Sequence, residues 1–237
     1  MNILITGGAS GLGVAITSRL LQDPDHKVYF SFHYSAEQAE QLTATHPNAN
    51  AVQCDFTDAD SVDSLIAKIG DMDLDLLINN AYTGKPVRAL FHKLPAEEIR
   101  MEFEANILPT IRITQAAIDG FRKKKHGHII TILSNYLDHP PAGTSVYVAG
   151  KAYLEQLVYA WAHENAKFNI RSNAISPSFM QTGLTKDTDE RIIEQMIGSS
   201  EAKRLLRPDE VAAAISDLLQ ASNTTNAANI ILNPGKN

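Results

Sequence analysis

The sequence contains one cysteine, Cys54, among 237 residues, and it lacks any long hydrophobic run. A single cysteine excludes an internal disulfide, and its place in an apolar run predicts a buried core thiol in a reducing cytoplasm. The apolar stretches are short and interrupted by charges, which excludes a helix that spans a bilayer. The first residues lead directly into an apolar segment without a basic region or a cleavage site, so we expect no secretory leader.

An excess of positive charge is also missing. The net charge is −6 and the isoelectric point is about 5.7, which argues against nucleic acid or an anionic membrane as the main partner. No internal repeat, low-complexity run or Pro/Gly/Ser-rich linker divides the chain. With 44% hydrophobic residues, the sequence therefore predicts one domain over residues 1–237.

Short apolar runs alternate with longer amphipathic stretches along the whole chain. This alternation predicts an α/β fold of the Rossmann type, a doubly wound, mostly parallel seven-stranded sheet with helices on both faces. The predicted strands are Asn2–Thr6, Lys27–Phe32, Asn50–Asp55, Leu74–Asn79, His128–Leu133, Arg171–Ser176 and Asn229–Asn233. The predicted helices are Leu12–Gln22, Ala36–Ala44, Ser61–Gly70, Ala96–Lys124, Val146–Lys167 and Pro208–Leu219.

A glycine-rich turn, Thr6–Gly13, joins the first predicted strand to the first helix. Glycines let the backbone turn sharply and approach a pyrophosphate, and the positive end of the helix dipole attracts the anion. An ordinary glycine-rich turn is the alternative interpretation. The residues expected to contact a dinucleotide here are Gly7, Ala9, Ser10, Gly11, Leu12 and Gly13.

Polar residues also follow the next strands. Asp55 and Phe56 come at the end of the third strand, where the carboxylate is able to accept a hydrogen bond from an adenine amino group; the alternative is a helix cap, together with Asp58. Asn80 and Ala81 come at the end of the fourth strand, where a simple polar turn is the alternative. In a doubly wound fold these strand ends meet at the ligand-binding crevice.

Ser134 follows the fifth strand, and Tyr147 and Lys151 lie four residues apart near the start of a long helix, so the last two share one helix face. A tyrosine titrates near 10 and is a poor acid or base at neutral pH, but an adjacent ammonium favours the phenolate. A tyrosine and a lysine also occur at this spacing by chance. The pair therefore indicates acid–base chemistry only together with the other motifs.

Taken together, these residues resemble the short-chain dehydrogenase/reductase family over nearly the whole chain. The family pattern Thr-Gly-x-x-x-Gly-x-Gly is matched at Thr6–Gly13, Asn-Asn-Ala-Gly is matched in part at Asn79–Tyr82, and Tyr-x-x-x-Lys is matched at Tyr147–Lys151. The family intervals are kept as well, with 28 residues from Asn106 to Ser134 and 13 from Ser134 to Tyr147. The sequence departs from the pattern where Tyr82, Ser178 and the segment 226–228 replace the usual residues.

The resemblance implies an NAD(P)(H)-dependent oxidoreductase that interconverts a carbonyl and an alcohol. It implies that Tyr147 transfers the proton, that Ser134 binds the carbonyl oxygen, and that Lys151 holds the nicotinamide ribose and lowers the pKa of Tyr147. Asn106 would anchor a water that links Lys151 to solvent. The segment after the sixth strand would contact the nicotinamide. The residues of that segment expected at the cofactor are Pro177, Met180 and Thr182.

The cofactor preference depends on the end of the second strand. Members of the family that use NAD usually have an acidic residue there, which binds the ribose 2′-hydroxyl. Here His33 and Ser35 take that place and are able to donate hydrogen bonds to a 2′-phosphate, whereas Ser10 stands where many NADP-dependent members have Arg or Lys. We therefore expect NADP(H), with NAD(H) as the alternative.

The basic segment Arg122–Lys125 precedes the fifth strand. It either balances the negative end of a helix dipole or docks an acyl carrier protein, since residues 124–132 resemble 3-oxoacyl-[acyl-carrier-protein] reductases. Other substrates remain open, namely another small ketone such as a sugar or polyketide intermediate. A nucleotide-binding regulator without turnover is a third hypothesis. The segment 183–206 is expected to cover the substrate.

Two further expectations concern metals and assembly. His126 and His128 flank a glycine at a strand entry, and we interpret them as surface histidines rather than metal ligands, so no metal is expected. The two long helices carry more apolar residues than one sheet face needs, which predicts a homo-oligomer, specifically a tetramer. The residues taken as evidence for this surplus are Ile107, Ile111, Leu154, Leu157, Val158 and Trp161.

Overall fold

The computed structural model describes residues 1–183, 185, 188–221 and 224–234. Its seven strands form one sheet in the order β3-β2-β1-β4-β5-β6-β7, and every strand pair is parallel. The predicted doubly wound fold is confirmed, and each strand boundary lies within two residues of the prediction. The strands are β1 (Asn2–Ile5), β2 (Lys27–Phe32), β3 (Ala49–Gln53), β4 (Leu76–Asn79), β5 (Gly127–Ile132), β6 (Ile170–Pro177) and β7 (Asn229–Leu232).

The central strands are apolar on consecutive residues because both of their faces are covered. All residues of β4 and β5 are buried, as expected for parallel strands that lie between two helix layers. The helices are α1 (Gly11–Leu20), α2 (Ala36–Thr45), α3 (Ala59–Met72), α4 (Ala96–Glu102), α5 (Leu108–Lys124), α6 (Ser145–Asn165), α7 (Glu190–Ser199) and α8 (Pro208–Gln220).

Two hydrophobic clusters hold the layers together, one on each face of the sheet. On one face α1 and α8 pack together through residues such as Ile16 and Ile215. On the other face α3, α5 and α6 contribute residues such as Leu65, Ile113 and Val158. Full burial of each such side chain stabilises the fold by about 1.5–3 kcal/mol. The two clusters fix the sheet, and with it the positions of the loops at its carboxyl edge.

The helix predicted over Ala96–Lys124 has the predicted bounds, but a π-helical turn at Phe103–Ile107 divides it into α4 and α5. Pro109 has no N–H to donate to the preceding turn, so one backbone hydrogen bond of the helix is missing there. In the same turn, the side chain of Asn106 bonds to the backbone of Thr83. The turn therefore widens where Asn106 lies. Such π-helical turns are frequent at functional sites.

The segment 183–206 contains α7, which the sequence analysis did not predict. Asp189 caps this helix, since its side chain accepts a hydrogen bond from the backbone N–H of Arg191 at 2.9 Å. Ile192, Ile193, Met196 and Ile197 recur at helical spacing, and this pattern would have revealed the helix. Within the segment, residues 184, 186 and 187 lie outside the described residues.

Candidate active site

A cleft of about 660 Å³ opens at the carboxyl edge of the sheet, where the turns after β1, β4, β5 and β6 meet. A volume of this size is typical of cofactor and small-molecule sites. Most of the residues predicted for the site line this cleft. Those that do are Gly7, Ala9, Ser10, Gly11, Leu12, Gly13, His33, Ser35, Phe56, Asn80, Ala81, Ser134, Tyr147, Lys151, Pro177, Met180 and Thr182.

The glycine-rich turn packs too closely for side chains. Gly7 and Gly11 have positive φ, at 65° and 51°, and a Cβ at Gly13 would lie only 2.0 Å from the carbonyl oxygen of Gly7. Helix α1 begins at Gly11, so its free N–H groups and the positive end of its dipole face the cleft. A concave backbone surface of this kind fits the pyrophosphate of a dinucleotide.

Side chains from neighbouring strands hold the turn in place. The N–H of Gly7 donates to Oγ of Ser31 at 2.9 Å, a contact that the sequence analysis missed although Ser31 interrupts an apolar strand. Asn80 donates from Nδ2 to the carbonyl oxygens of Thr6 and Gly7 at 3.0 and 3.1 Å. Thr6 in turn accepts the N–H groups of Asn80 and Ala81 at its Oγ1. Asn80 therefore shapes the turn as well as lining the cleft.

Asp55 is not among the residues that line the cleft, although its neighbours Cys54 and Phe56 are, and its contact with an adenine group stays a prediction. Its Oδ1 accepts both hydrogen bonds of Thr57, at 2.8 Å each, and its Oδ2 lies 3.3 Å from Nε2 of His33. Although partial burial opposes it, the hydrogen bonds from Thr57 and the charge of His33 lower the pKa of Asp55. Asp58, not Asp55, caps α3. The carboxylate of Asp55 is engaged in its own turn.

Ser134 and Tyr147 lie together in the cleft, Ser134 after β5 and Tyr147 on the first turn of α6. Burial raises the pKa of Tyr147 to about 12, and a hydrogen bond with Ser134 partly offsets this. The expected lowering by Lys151 is not seen in the structure. Nζ of Lys151 lies 5.9 Å from the centre of the Tyr147 ring and donates instead to the carbonyl oxygen of Ile132 at 2.8 Å.

Asn106 lies behind the cleft and does not line it. Its side chain bonds to the backbone of Thr83, and with Lys151 it lines a second, much smaller cavity. Lys151 is only 8% exposed. Burial lowers the pKa of Lys151 to about 8, and the negative charge of Glu102 opposes that shift.

Two of the departures from the family pattern do not strain the backbone. Neither Tyr82 nor Ser178 is among the described residues with positive φ, so neither position needs glycine. The N–H of Ser178 donates to the carbonyl oxygen of Leu232 at 2.8 Å, which ties the loop after β6 to β7. The ring of Tyr82 stands edge-on to that of Tyr147, with 5.4 Å between their centres, and both residues line the cleft.

The histidines near β5 have different environments. His126 is exposed as predicted, but the prediction for His128 is wrong because it is only 4% exposed and lies 3.0 Å from Nδ2 of Asn173. Within the described ranges, no group of three or more His, Cys, Asp or Glu side chains is arranged to hold a metal ion.

Within the same ranges, no helix is long and apolar enough to cross a membrane.

The comparisons with known proteins agree with this geometry. The family model described as short chain dehydrogenase matches residues 1–192. The chain belongs to this family and is an NAD(P)-dependent short-chain oxidoreductase, as the sequence motifs indicated.

Similar proteins cover almost the whole chain. The 3-oxoacyl-[acyl-carrier-protein] reductase MabA of Mycobacterium tuberculosis is 29% identical over 92% of this chain and 84% of its own. The acetoacetyl-CoA reductase of Allochromatium vinosum is 28% identical over 98% of this chain and 96% of its own. Among solved structures, ElxO with NADP bound is 25% identical, with a TM-score of 0.86 over 97% of this chain and 96% of its own.

Proposed function

We propose that this protein is an NADP(H)-dependent reductase of a 3-oxoacyl thioester, carried by a protein or by coenzyme A. The observation that carries the proposal is the placement of Ser134, Tyr147 and Lys151 opposite the glycine-rich turn in one cleft. The two similar reductases named above both act, by their names, on a 3-oxoacyl thioester. Both cover nearly the whole chain, which favours this substrate class.

The proposed roles follow from the positions of the side chains. The nicotinamide, when bound, supplies or accepts the hydride. Tyr147 donates the proton to the carbonyl oxygen, and the hydroxyl of Ser134 stabilises the charge that develops on that oxygen. A pKa of about 12 keeps the phenol of Tyr147 protonated at neutral pH, which is the form that the reduction direction needs.

The glycine-rich turn would hold the pyrophosphate, and Lys151 would hold the nicotinamide ribose. His33 and Ser35 support NADP(H), since both line the cleft just after β2 and the hydroxyl of Ser35, the N-cap of α2, makes no capping bond to its helix. Nε2 of His33 lies 3.3 Å from Oδ2 of Asp55, which orients the histidine ring at the cleft. The NADP-bound neighbour is consistent with this preference.

A carrier-bound substrate is a further part of the proposal, but the basic segment Arg122–Lys125 supports it weakly. Arg122 donates to Oδ1 of Asn165 at 2.7 Å, and Lys124 donates to Oδ1 of Asp75 at 2.7 Å, so both have intramolecular partners. The segment precedes β5, at the amino end of a strand whose carboxyl end meets the cleft, about 20 Å away. Free thioesters are therefore the better first substrates.

The test is an assay of NADPH oxidation with 3-oxoacyl thioesters, both free and carrier-bound, beside simple ketones, sugars and polyketide-like ketones. We expect turnover with the thioesters. Turnover with another ketone alone would replace the substrate class. Nucleotide binding without turnover of any carbonyl would instead support the regulator hypothesis.

We also propose that the chain is one domain over residues 1–237, that residues 183–206 cover the substrate end of the cleft, and that the protein is cytoplasmic. Gly183 and Thr185 line the cleft beside Met180, which supports the covering role. Cys54 is buried as predicted, and burial raises the pKa of its thiol to about 11, which keeps it unreactive.

We propose a homo-oligomer, specifically a tetramer, but the residues that support it differ from those that the sequence suggested. The apolar residues first taken as surplus pack inside the subunit; Leu154, Val158 and Trp161, for example, are all less than 7% exposed. Large apolar side chains are instead exposed on α4, the π-helical turn, the start of α5 and α6. These residues are Ile99, Met101, Phe103, Leu108 and Tyr153.

The exposed apolar surface gives a direct test of assembly. The rings of Phe103 and Tyr153 meet edge to face with 5.6 Å between their centres, so they form one patch across two elements. Tyr153→Glu should split the oligomer and lower activity, because Tyr153 lies on the helix that carries Lys151. The solution mass decides: a wild-type monomer of 25.9 kDa at micromolar concentration would contradict the proposal.

A further inference from the structure

A small cavity of about 10 Å³ lies behind Lys151, separate from the main cleft. It lies between β4, the π-helical turn and α6, and Lys151, Glu102 and Tyr82 are among the residues that line it. A cavity of this volume has room for about one water molecule. Of these residues, Glu102 has no role in the function proposed above.

The carboxylate of Glu102 is held in a fixed place. Oη of Tyr82 donates to Oε2 of Glu102 at 2.8 Å, and Nδ2 of Asn106 donates to the same oxygen at 3.3 Å. The other oxygen, Oε1, faces Gly150 on α6, where a Cβ would lie 3.2 Å from it. Gly150 directly precedes Lys151, so the absence of a side chain there lets the carboxylate approach the lysine.

The two charges are buried together and influence each other. The ammonium of Lys151 donates to the carbonyl oxygen of Ile132. Burial lowers the pKa of Lys151 and raises that of Glu102, and in each case the other charge opposes the effect of burial. The groups that face Glu102 are Tyr82 after β4, Asn106 in the π-helical turn that follows α4, and Lys151 and Tyr147 on α6.

The polar atoms around the cavity suit a bridging water. Among the described residues, Oδ1 of Asn79 is buried and has no hydrogen-bond partner, and Asn79 lines the cavity. A buried water usually makes about three hydrogen bonds to such groups. Oδ1 of Asn79, the carboxylate of Glu102 and the ammonium of Lys151 would supply them.

We propose that Glu102 is a positioning residue that acts through Lys151, as its buried counter-charge across a single bridging water. The inference rests on the proposed function, because it assigns a purpose to the charge of Lys151 in that site. It also explains the departure at Tyr82: a glycine there would supply no hydroxyl, whereas Tyr82 supplies the donor that fixes the carboxylate. Tyr82 and Glu102 therefore act as a pair.

The first test measures the titration of Lys151 in the protein without cofactor, by the ¹³C shift of its Cε atom, with the signal assigned by its loss in Lys151→Ala. Glu102→Gln removes the charge but keeps the shape. We expect Lys151 to titrate at least about half a pH unit lower in this variant. The control is Glu104→Gln, which removes an exposed carboxylate two residues further along the chain and should leave the titration unchanged.

An unchanged titration in Glu102→Gln, or an equal shift in both variants, would overturn the inference. Tyr82→Phe gives a second route if Glu102→Gln does not fold. Loss of the hydroxyl frees the carboxylate to move and removes a hydrogen bond that lowers the pKa of Glu102, so the negative charge near Lys151 becomes less fixed and less fully ionised. Lys151 should then titrate lower by a smaller amount, and no shift in that variant would also count against the pairing.

The second test is the pH profile of carbonyl reduction. If the ammonium of Lys151 is needed, the alkaline limb of kcat/KM should move to lower pH in Glu102→Gln and stay in place in Glu104→Gln. If kcat/KM falls equally at all pH values and the alkaline limb stays in place, Glu102 contributes only to packing. The titration needs no substrate, so a shift of Lys151 without any carbonyl turnover would contradict the proposed function but not this inference.

Discussion

The two ends of the same sheet both contain buried polar side chains, but they are organised differently. At the carboxyl edge, Lys151 and Glu102 face cavities and their pKa values are shifted in opposing directions. At the amino edge, His128 and Asn173 are packed against each other, and Oδ1 of Asn173 accepts the N–H of Ala228 at 3.0 Å. The first arrangement leaves groups available for a ligand, whereas the second uses them for the fold.

The physical reason is the direction of the strands. In a parallel sheet all carboxyl ends lie at one edge, where the helix N-termini also point, so the turns there can surround an anionic ligand. The C-termini of the helices lie at the amino edge, and the polar groups there bond to neighbouring loop segments such as the one before β7. We therefore expect mutations at the two edges to affect different properties.

The largest expected effect is at the carboxyl edge. Tyr147→Phe should lower kcat by at least about 10²-fold with little change in cofactor affinity or thermal stability, because only the transferred proton is lost. Steady-state kinetics and nucleotide titration measure the two effects. Near-wild-type turnover would show that Tyr147 is not the proton donor. It would also contradict the expectation that mutations at the carboxyl edge affect activity rather than stability.

A second prediction separates the cofactor side of the cleft from the substrate side. Gly13→Ala should weaken NADPH binding by roughly tenfold or more, since its Cβ would meet the carbonyl oxygen of Gly7 and force the turn open. Gly183→Ala is the matched control, because a Cβ at Gly183 would meet nothing within 4 Å. Calorimetric titration of both variants measures the difference, and equal affinities would show that the turn is not the binding surface.

At the amino edge the expected effect is on stability. Burial lowers the pKa of His128 to about 3, whereas an unfolded histidine titrates near 6.5. Between these values the unfolded chain binds the extra proton, so stability falls as the pH decreases below about 6.5. This histidine alone would cost about 2 kcal/mol at pH 5.

His128→Gln should remove that part of the acid sensitivity while leaving the catalytic rate at pH 7 nearly unchanged. Urea unfolding at pH 7 and pH 5 measures the difference, and His126→Gln, at an exposed position, is the control. If the pH dependence of His128→Gln equals that of the wild type, the histidine is not held neutral in the fold. A large loss of activity would show that the two edges are coupled.

The smallest expected effect concerns cofactor preference. His33→Asp should repel a 2′-phosphate and shift the ratio of kcat/KM values several-fold toward NADH. The carboxylate of Asp55 lies near the same place and would add to the repulsion. A wild-type enzyme that already prefers NADH would contradict the prediction. His33 would then have a structural role and would not bind the 2′-phosphate.

Much of the fold was predictable because its signals are local. Runs such as Leu76–Ile78 are apolar on consecutive residues, as expected for a strand covered on both faces. The glycine-rich turn and the interval between Ser134 and Tyr147 placed the cleft, since parallel strands bring their carboxyl ends together. Helix α7 was missed although its apolar spacing was visible.

Other features depended on contacts between distant parts of the chain. The sequence by itself determined the parallel sheet, the family and most of the predicted side chains that line the cleft, because periodicity and motif spacing are properties of neighbouring residues. Only the tertiary structure decided that Asp55 turns toward His33, that His128 is buried, and that Glu102 lies beside Lys151. These outcomes depend on how deeply each side chain is buried and on which distant residues lie next to it. Burial sets the free-energy cost of keeping a side chain charged, and the tertiary fold decides which group lies close enough to offset that cost.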